Sequence, residues 1–298
     1  AQHLENRFYS IDLNTNGEIT RLWDKRLARE VIPAGETANR LQLFQDGPER
    51  EAAWNVHATF ERREYPFEGE TTVTVAESGP VRGVVRVVRT HRDSRIEQEI
   101  ILYDALPRID FATRVDWQER QVLLKVAFPV EIVADQATFE VQFGAVQRPT
   151  HRNTSWDEEK FEVPAQRWAD LSEAGYGVSL LNDCKYGYDV KRNVLRLSLL
   201  RGAGFDVTDL GVDVPAEKFV AALKETGARV LGLSALLNFT YPEMKNVVEA
   251  VTEAGLRDRV TIIIGGAPCN EQVRQFTGAD YYAEDAVAGV NICKKVYS

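Results

Sequence analysis

Cysteine is scarce: Cys184, Cys269 and Cys293 make the whole set of three, and no two stand at metal-ligand spacing. So sparse and odd a set excludes a disulfide framework, suits a reducing compartment, and predicts buried, inert thiols. Long apolar runs are also missing, and no secretory pattern opens the sequence. The expectation is therefore a cytoplasmic protein with no membrane partner. Positive charge is in deficit, with 36 Lys and Arg against 45 Asp and Glu for a net −9, which speaks against a nucleic-acid partner. From Gly202 onward 9 basic and 13 acidic residues leave −4, and the remaining −5 lies before it, so the acidity is a general solubility feature. Histidine stops early, with none after His151. Nor does a Pro-, Ser- or charge-rich linker appear anywhere near the middle.

What is present is a soluble globular composition, 44% hydrophobic and 27% charged over 298 residues, enough for two ordinary domains. Helical periodicity is rare in the first two hundred residues. Ile109, Phe111, Thr113, Val115 and Trp117 alternate with Arg108, Asp110, Ala112, Arg114 and Asp116, the pattern of a half-buried antiparallel strand. Phe139, Val141 and Phe143 repeat that period, as do Leu195, Leu197 and Leu199. Asn14-Thr15-Asn16-Gly17 predicts a hairpin turn with positive φ at Asn16 or Gly17, and His91-Arg92-Asp93-Ser94 a turn after the strand Val81 to Thr90. Strands punctuated by turns predict an antiparallel β-sandwich. His3, His57 and His91 are scattered and read as surface or packing residues.

One loop, Arg148 to Asp157, gathers a His, an Asn, hydroxyls, a Trp and an Asp. A sugar site uses that mixture, because an indole covers the apolar face of a pyranose while amides and carboxylates hold its hydroxyls. A structural loop of Asx and hydroxyl turns has the same composition. The strings Leu4 to Tyr9, Gly17 to Lys25, Arg148 to Asp157, Arg167 to Gly187 and Leu195 to Arg201 resemble the C-terminal β-domain of family 38 α-mannosidases, closest to the cytosolic and bacterial branch. The likeness covers nearly all of residues 1–201. It implies a domain that packs behind a catalytic barrel and lends a loop to the substrate rim, here His151, Asn153 and Asp157. The barrel would hold the zinc or cobalt ion, the nucleophile and the acid/base, and it has no counterpart in this sequence. The likeness also ends before the sandwich is complete.

After Arg201 the pattern becomes strand and helix in alternation. Asp206 to Leu210 reads as a short strand, Pro215 to Glu225 as a helix ended by Gly227, and Arg229 to Leu237 as a buried strand. Thr240-Tyr241-Pro242-Glu243 has the form of a capping box before a helix running to Gly255. Val260 to Ile264 is a continuous apolar strand, Asn270 opens a helix that stops at Gly278, Asp280 to Ala283 reads as an edge strand, and Asp285 caps a last helix. The result is a doubly wound parallel sheet of the flavodoxin-like kind, whose ligands bind beyond the carboxyl ends of the strands. Ser234, Gly265, Gly266 and Thr240 lie there; each also has a plain structural role as core hydroxyl, turn or cap.

Gly202 to Val207, Asp209 to Pro215, Ser234 to Leu237, Gly265 to Pro268 and Gly278 to Tyr282 together resemble the cobalamin-binding domain of corrinoid methyltransferase proteins. The likeness covers residues 202–298 and implies a slot for the cobalamin nucleotide tail at Ser234, Leu236, Thr240, Gly265 and Gly266, with a methyltransferase subunit as partner. It departs from the family in lacking the first strand and the histidine loop that supplies the lower axial ligand of cobalt.

These features predict a multidomain chain: an incomplete sandwich over 1–201, then a truncated α/β fragment over 202–298. Leu199-Leu200-Arg201 fits both patterns, as a splice or recombination point would. The expected function is a chimera-like join with no catalytic residues and no complete activity. Two alternatives stand beside it: a weak cobalamin-binding module of a methyltransferase system, and an α-mannosidase subunit that needs a separate barrel. The ligands expected are an oligosaccharide or a corrinoid.

Overall fold

The computed structural model describes residues 2–47, 56, 58–201, 207–211, 214–235, 238–266 and 268–297. His57 and Leu236 lie outside these. The described residues up to Arg201 fall in one compact unit and those from Val207 onward in another.

The first unit is built from antiparallel sheets. Two four-stranded sheets, one spanning Gln2 to Glu30 and the other Thr71 to Asp116, share a core of Leu4, Ile11, Leu13, Ile19, Val85, Val87, Ile100 and Leu102. A six-stranded sheet runs in the order Val163–Pro164, Gly187–Lys191, Val194–Arg201, Val122–Pro129, Arg40–Gln45, Glu64–Tyr65. Its inner face packs Leu41, Leu43, Leu124, Val126, Leu195 and Leu197 against Ala137, Phe139, Ala169 and Leu171 of a further four-stranded sheet. Successive residues of a strand point to opposite faces, so Leu123 and Lys125 turn outward, where Leu123 joins Phe44, Phe60 and Phe161.

Several turns form for the reasons their sequence suggests. Gly17 takes φ 73°, and the Asn14 side chain accepts from the amides of Asn16 and Glu18. Arg92 takes φ 50° in the hairpin between Arg82–His91 and Ser94–Tyr103. His91 is buried as a packing residue: its Nδ1 accepts from the Glu68 amide, and Phe67 meets its ring edge-on. Two expectations fail. Phe143 does not continue the alternation of Phe139, because the strand ends at Val141 and Phe143, with φ 64°, is fully exposed in the turn. Cys184 is exposed, whereas Cys269 is buried.

The second unit is a parallel sheet in the order Val230–Ser234, Thr261–Gly265, Tyr281–Tyr282. Leu231, Leu233, Ile262 and Ile264 present one face to Leu223 of the helix Ala216–Thr226, to Met244, Val247, Val248 and Val251 of Tyr241–Glu253, and to Val273 of Glu271–Thr277. Residues at such three- and four-residue spacings share one helix face, which explains why four apolar groups of Tyr241–Glu253 are buried together. Ile263 is buried on the opposite side of the sheet, and the helix Ala286–Tyr297 packs beside its strand. Asn270 caps its helix through the Val273 amide, and Asp285 accepts from the Ala288 amide.

The strand expected from Asp206 does not form. Asp206 lies outside the described residues, and Val207 to Leu210 are irregular. A strand needs a ladder partner to satisfy its amides and carbonyls, and among the described residues Val207 to Leu210 pair with none, Val230–Ser234 being an edge strand of the sheet. The capping box also fails. Thr240 is the N-cap residue without a side-chain cap bond, and Glu243 accepts from Asn246 Nδ2 at 3.1 Å instead of reaching back.

Candidate functional sites

The loop after the strand Gly144–Pro149 is fastened at two points. Buried Thr150 donates through its amide to Asp135 O and through its hydroxyl to Ala134 O. Arg152 donates to Glu61 Oε2 at 3.1 Å and to Phe161 O at 3.3 Å. Between and beyond these anchors the loop brings His151 and Asp157 together, with Nδ1 to Oδ2 at 3.5 Å, an ion-pair separation too long for a good hydrogen bond. Thr154 holds the same carboxylate at 2.8 Å while capping the short helix Ser155–Glu158 through the Asp157 amide. Asn153 is exposed, and so is the indole of Trp156, at 79%. This loop supplies one carboxylate beside one imidazole and an open indole face. Retaining glycoside hydrolysis needs two carboxyl groups roughly 5–5.5 Å apart, and residues 148–157 carry only one, Asp157.

Buried charges form a network that the sequence did not suggest, centred on Lys125, Asp189 and Arg196. Lys125 has no exposed surface; its Nζ lies 2.9 Å from Glu162 Oε2 and 2.7 Å from Asp189 Oδ2, the latter off the hydrogen-bonding direction. Arg196 holds the other oxygen of Asp189 at 2.6 Å and also pairs with Glu61. Lys191 reaches Glu61 Oε2 at 2.6 Å. Both Lys125 and Arg196 lie over the Phe60 ring. A lysine inside the apolar run Val122–Pro129 was the one available signal. Its partners stand 37 and 64 positions away, a distance at which spacing is uninformative.

Glu61 carries a pH consequence. Burial pushes its carboxyl upward, but Lys191 and Arg196 hydrogen bonds, with the charges of Arg196 and Arg152, together lower it from 4.5 to about 2. A folded value below the unfolded one contributes stability that is complete above pH 4.5 and is lost as pH falls toward 2. A shift of this size corresponds to about 3 kcal/mol. Urea unfolding of Glu61→Gln should therefore show a flatter loss of stability between pH 5 and pH 2 than the parent chain, and an unchanged slope would refute the assignment.

In the second unit Ser234 and Gly265 are partners in the parallel ladder, and Ala235 N donates to Gly265 O at 3.0 Å. Ser234 and Gly266 are exposed at this carboxyl end. Gly266 has φ 108°, and a Cβ there would lie 2.0 Å from Ala235 O, so the turn passes against backbone. Cys269 Sγ donates to Gly265 O at 2.9 Å, and burial pushes its thiol up. Tyr241, next to Thr240, donates to Pro268 O at 2.5 Å and ties the helix start to the glycine turn. Three of the expected slot residues thus converge, Thr240 begins the adjoining helix, and Leu236 lies outside the described residues. The exposed hydroxyl and glycine backbone fit the polar and flat parts of a nucleotide tail. An axial imidazole does not fit this unit, because no histidine follows His151.

Among the described residues no group of three or more His, Cys, Asp and Glu could hold a metal ion, and no helix is long and apolar enough to cross a membrane.

Comparison with known proteins finds two families whose matched segments overlap over 188–209. Residues 4–209 match the family model for the glycosyl hydrolases family 38 C-terminal domain, and residues 188–291 match that for the B12 binding domain. Alpha-mannosidase 2C1 of Homo sapiens is 40% identical over 222 residues, 74% of this chain and 21% of the relative. The dimethylamine corrinoid protein 3 of Methanosarcina mazei is 40% identical over 109 residues, 37% of this chain and 65% of the relative. A solved α-mannosidase from Enterococcus faecalis superposes on 68% of this chain and 26% of its own, with TM-score 0.54 at 15% identity, a likeness of fold alone. The chain spans about a fifth of the length of the mannosidases it matches.

Proposed function

The chain belongs, through residues 4–209, to the family 38 glycosyl hydrolase C-terminal domains, and on that basis we propose that it joins an α-mannosidase accessory β-domain to a corrinoid-binding fragment, with neither reaction centre complete. The observation that carries this reading is the use made of Val194–Arg201. Both family models claim this stretch, since they overlap over 188–209. The fold places it as a strand between Val122–Pro129 and Gly187–Lys191, in the β-rich unit. Spent there, it is unavailable to the parallel sheet. The domain boundary in this reading is 201/202. The first part is a sandwich whose later strands are absent; the second is a flavodoxin-like sheet without its first strand.

In the β-rich unit His151, Asn153 and Asp157 would line the rim of a substrate site whose nucleophile, acid/base and metal belong to the family's catalytic barrel. In the α/β unit Ser234, Thr240, Gly265 and Gly266, with Leu236, would hold the nucleotide tail of cobalamin. Cobalamin, when bound, would carry a methyl group for a methyltransferase partner. The described residues of 202–298 would contribute hydrogen-bond donors and close backbone approach, and this stretch has no histidine to act as a ligand. Exposed Ser234 and Gly266 at the strand ends favour weak corrinoid binding as the second reading.

Equilibrium dialysis against hydroxocobalamin tests it. Retention is expected only at high micromolar concentration, and Ser234→Phe should reduce it about tenfold, about 1.4 kcal/mol, without lowering the melting temperature, since the replaced side chain is exposed. Retention indifferent to Ser234→Phe removes the slot. An aryl α-mannoside should survive incubation with the chain and zinc or cobalt ions; release of nitrophenol contradicts the incomplete-centre reading.

A further inference from the structure

A cavity of about 180 Å³ opens on the outer face of the six-stranded sheet, lined among others by Glu36, Arg40, Gln42, Ala127, Lys191 and Arg196. Its origin is legible in the strand register. Arg40 and Arg196 both stand opposite Ala127, and Arg196 stands opposite Asp189. A methyl group therefore sits between two guanidinium side chains, and the cavity is the space that a larger residue at 127 would take. The next row inward is Gln42, Lys125 and Ser198.

Charge decides what this cavity accepts. Each cation already holds a carboxylate: Arg40 pairs with Glu64 at 2.5 Å, Lys191 with Glu61 at 2.6 Å and Arg196 with Asp189 at 2.6 Å. No surplus positive charge is left for an anion, and Glu36 adds a negative one. Hydrogen-bonding capacity does remain. A guanidinium has five N–H groups and an ammonium three, more than these pairs consume. Gln42 is 6% exposed; its Nε2 donates to Glu64 at 3.0 Å, while its Oε1 is buried with no hydrogen-bond partner. An unsatisfied buried acceptor costs about 1–3 kcal/mol, which a hydroxyl donor would recover. The volume lies below the roughly 300–1,000 Å³ of sites for drug-sized ligands, so an oligosaccharide chain is too large.

We propose that this cavity binds one neutral polyol of monosaccharide size, its hydroxyls accepting from Lys191 and the arginines and donating to Gln42 Oε1 after a small turn of that amide. The site lies wholly in the β-rich unit, none of its lining residues belongs to the His151 loop, and it depends on neither the corrinoid reading nor the rim reading.

The test is titration of the full chain with D-mannose, D-glucose and myo-inositol, with inorganic phosphate as the anionic arm, followed by calorimetry and saturation-transfer NMR. At least one polyol should saturate in the millimolar range, and phosphate should not. Ala127→Leu fills the space and should weaken binding at least about tenfold. Lys191→Met, at a rim position 43% exposed, keeps the proposal testable if the core variant unfolds; it should weaken binding about threefold or more. No saturation by any polyol below about 100 mM would mean a cavity holding only water, and would overturn the proposal. Tighter binding of phosphate, or a folded Ala127→Leu chain that binds as before, would overturn it equally.

Discussion

Replacing Lys125 by methionine should destabilise the β-rich unit by about 3–5 kcal/mol, because removing one member of a buried ion pair leaves the other charge uncompensated. Lys125 is fully buried, and Asp189 and Glu162, its partners, are 1% and 15% exposed. Methionine matches the lysine stem in length, so lost packing is a minor part of the cost. Asp189 keeps Arg196 and Glu162 keeps the Ser198 hydroxyl at 2.7 Å, which places the effect near the lower end of that range. The double variant Lys125→Met/Glu162→Gln should recover part of the loss by removing one stranded charge. Urea unfolding followed through the tryptophans of this unit measures both. A single variant within about 1 kcal/mol of the parent would show that the charges are solvated and that the network contributes no more than a surface pair.

Gly266→Ala should cost the α/β unit a similar amount by another mechanism. At φ 108° a side chain is strained by about 1–2 kcal/mol. The added Cβ would also stand 2.0 Å from the Ala235 carbonyl oxygen and 2.9 Å from two more backbone atoms of Ala235. Backbone cannot swing aside as a flexible side chain can, and overpacking of this kind adds about 1–3 kcal/mol. Gly265→Ala is the control, since among the described residues its Cβ would meet only Ala283 O, at 3.3 Å. Residue-resolved hydrogen exchange should show Gly266→Ala lowering protection of Ile262 to Ile264 and leaving Leu195 to Leu199 unaffected. Equal behaviour of the two glycine variants would contradict the close approach.

What the sequence made legible was local. The Asn14–Gly17 turn, the caps at Asn270 and Asp285 and the alternation of Ile109 to Val115 depend on neighbours a few residues away, and each formed as expected. The change of character after Arg201 was equally plain, because alternation of period two gives way to helical spacing. The charge network was not legible, since Lys125, Asp189 and Arg196 come from three strands, Glu61 from the 3-10 helix Phe60–Arg63 and Glu162 from the residue before Val163–Pro164, and they meet only once these elements have packed. Thr240 and Glu243 had the right letters for a capping box, yet Glu243 found Asn246 on its own helix. Val207 to Leu210 had strand-forming residues, yet they are irregular and pair with no strand among the described residues. Strand propensity is expressed only where an adjacent strand satisfies the backbone.

The Ser234, Gly265 and Gly266 cluster was legible for a related reason. Parallel register at adjacent strands carries residues thirty-one positions apart to the same edge, and Ser234 meets Gly265 directly. The close contact of Gly266 with Ala235 was not foreseen, and it gives that glycine a structural role beside any ligand.

Electron paramagnetic resonance of cob(II)alamin mixed with the uniformly ¹⁵N-labelled full chain tests the join most directly, because only a nitrogen from the protein splits the cobalt lines into doublets. The account predicts a cofactor retained at high micromolar concentration whose spectrum shows no ¹⁵N doublet. A ¹⁵N doublet, or a spectrum identical to free cofactor with none retained on the protein, would contradict it.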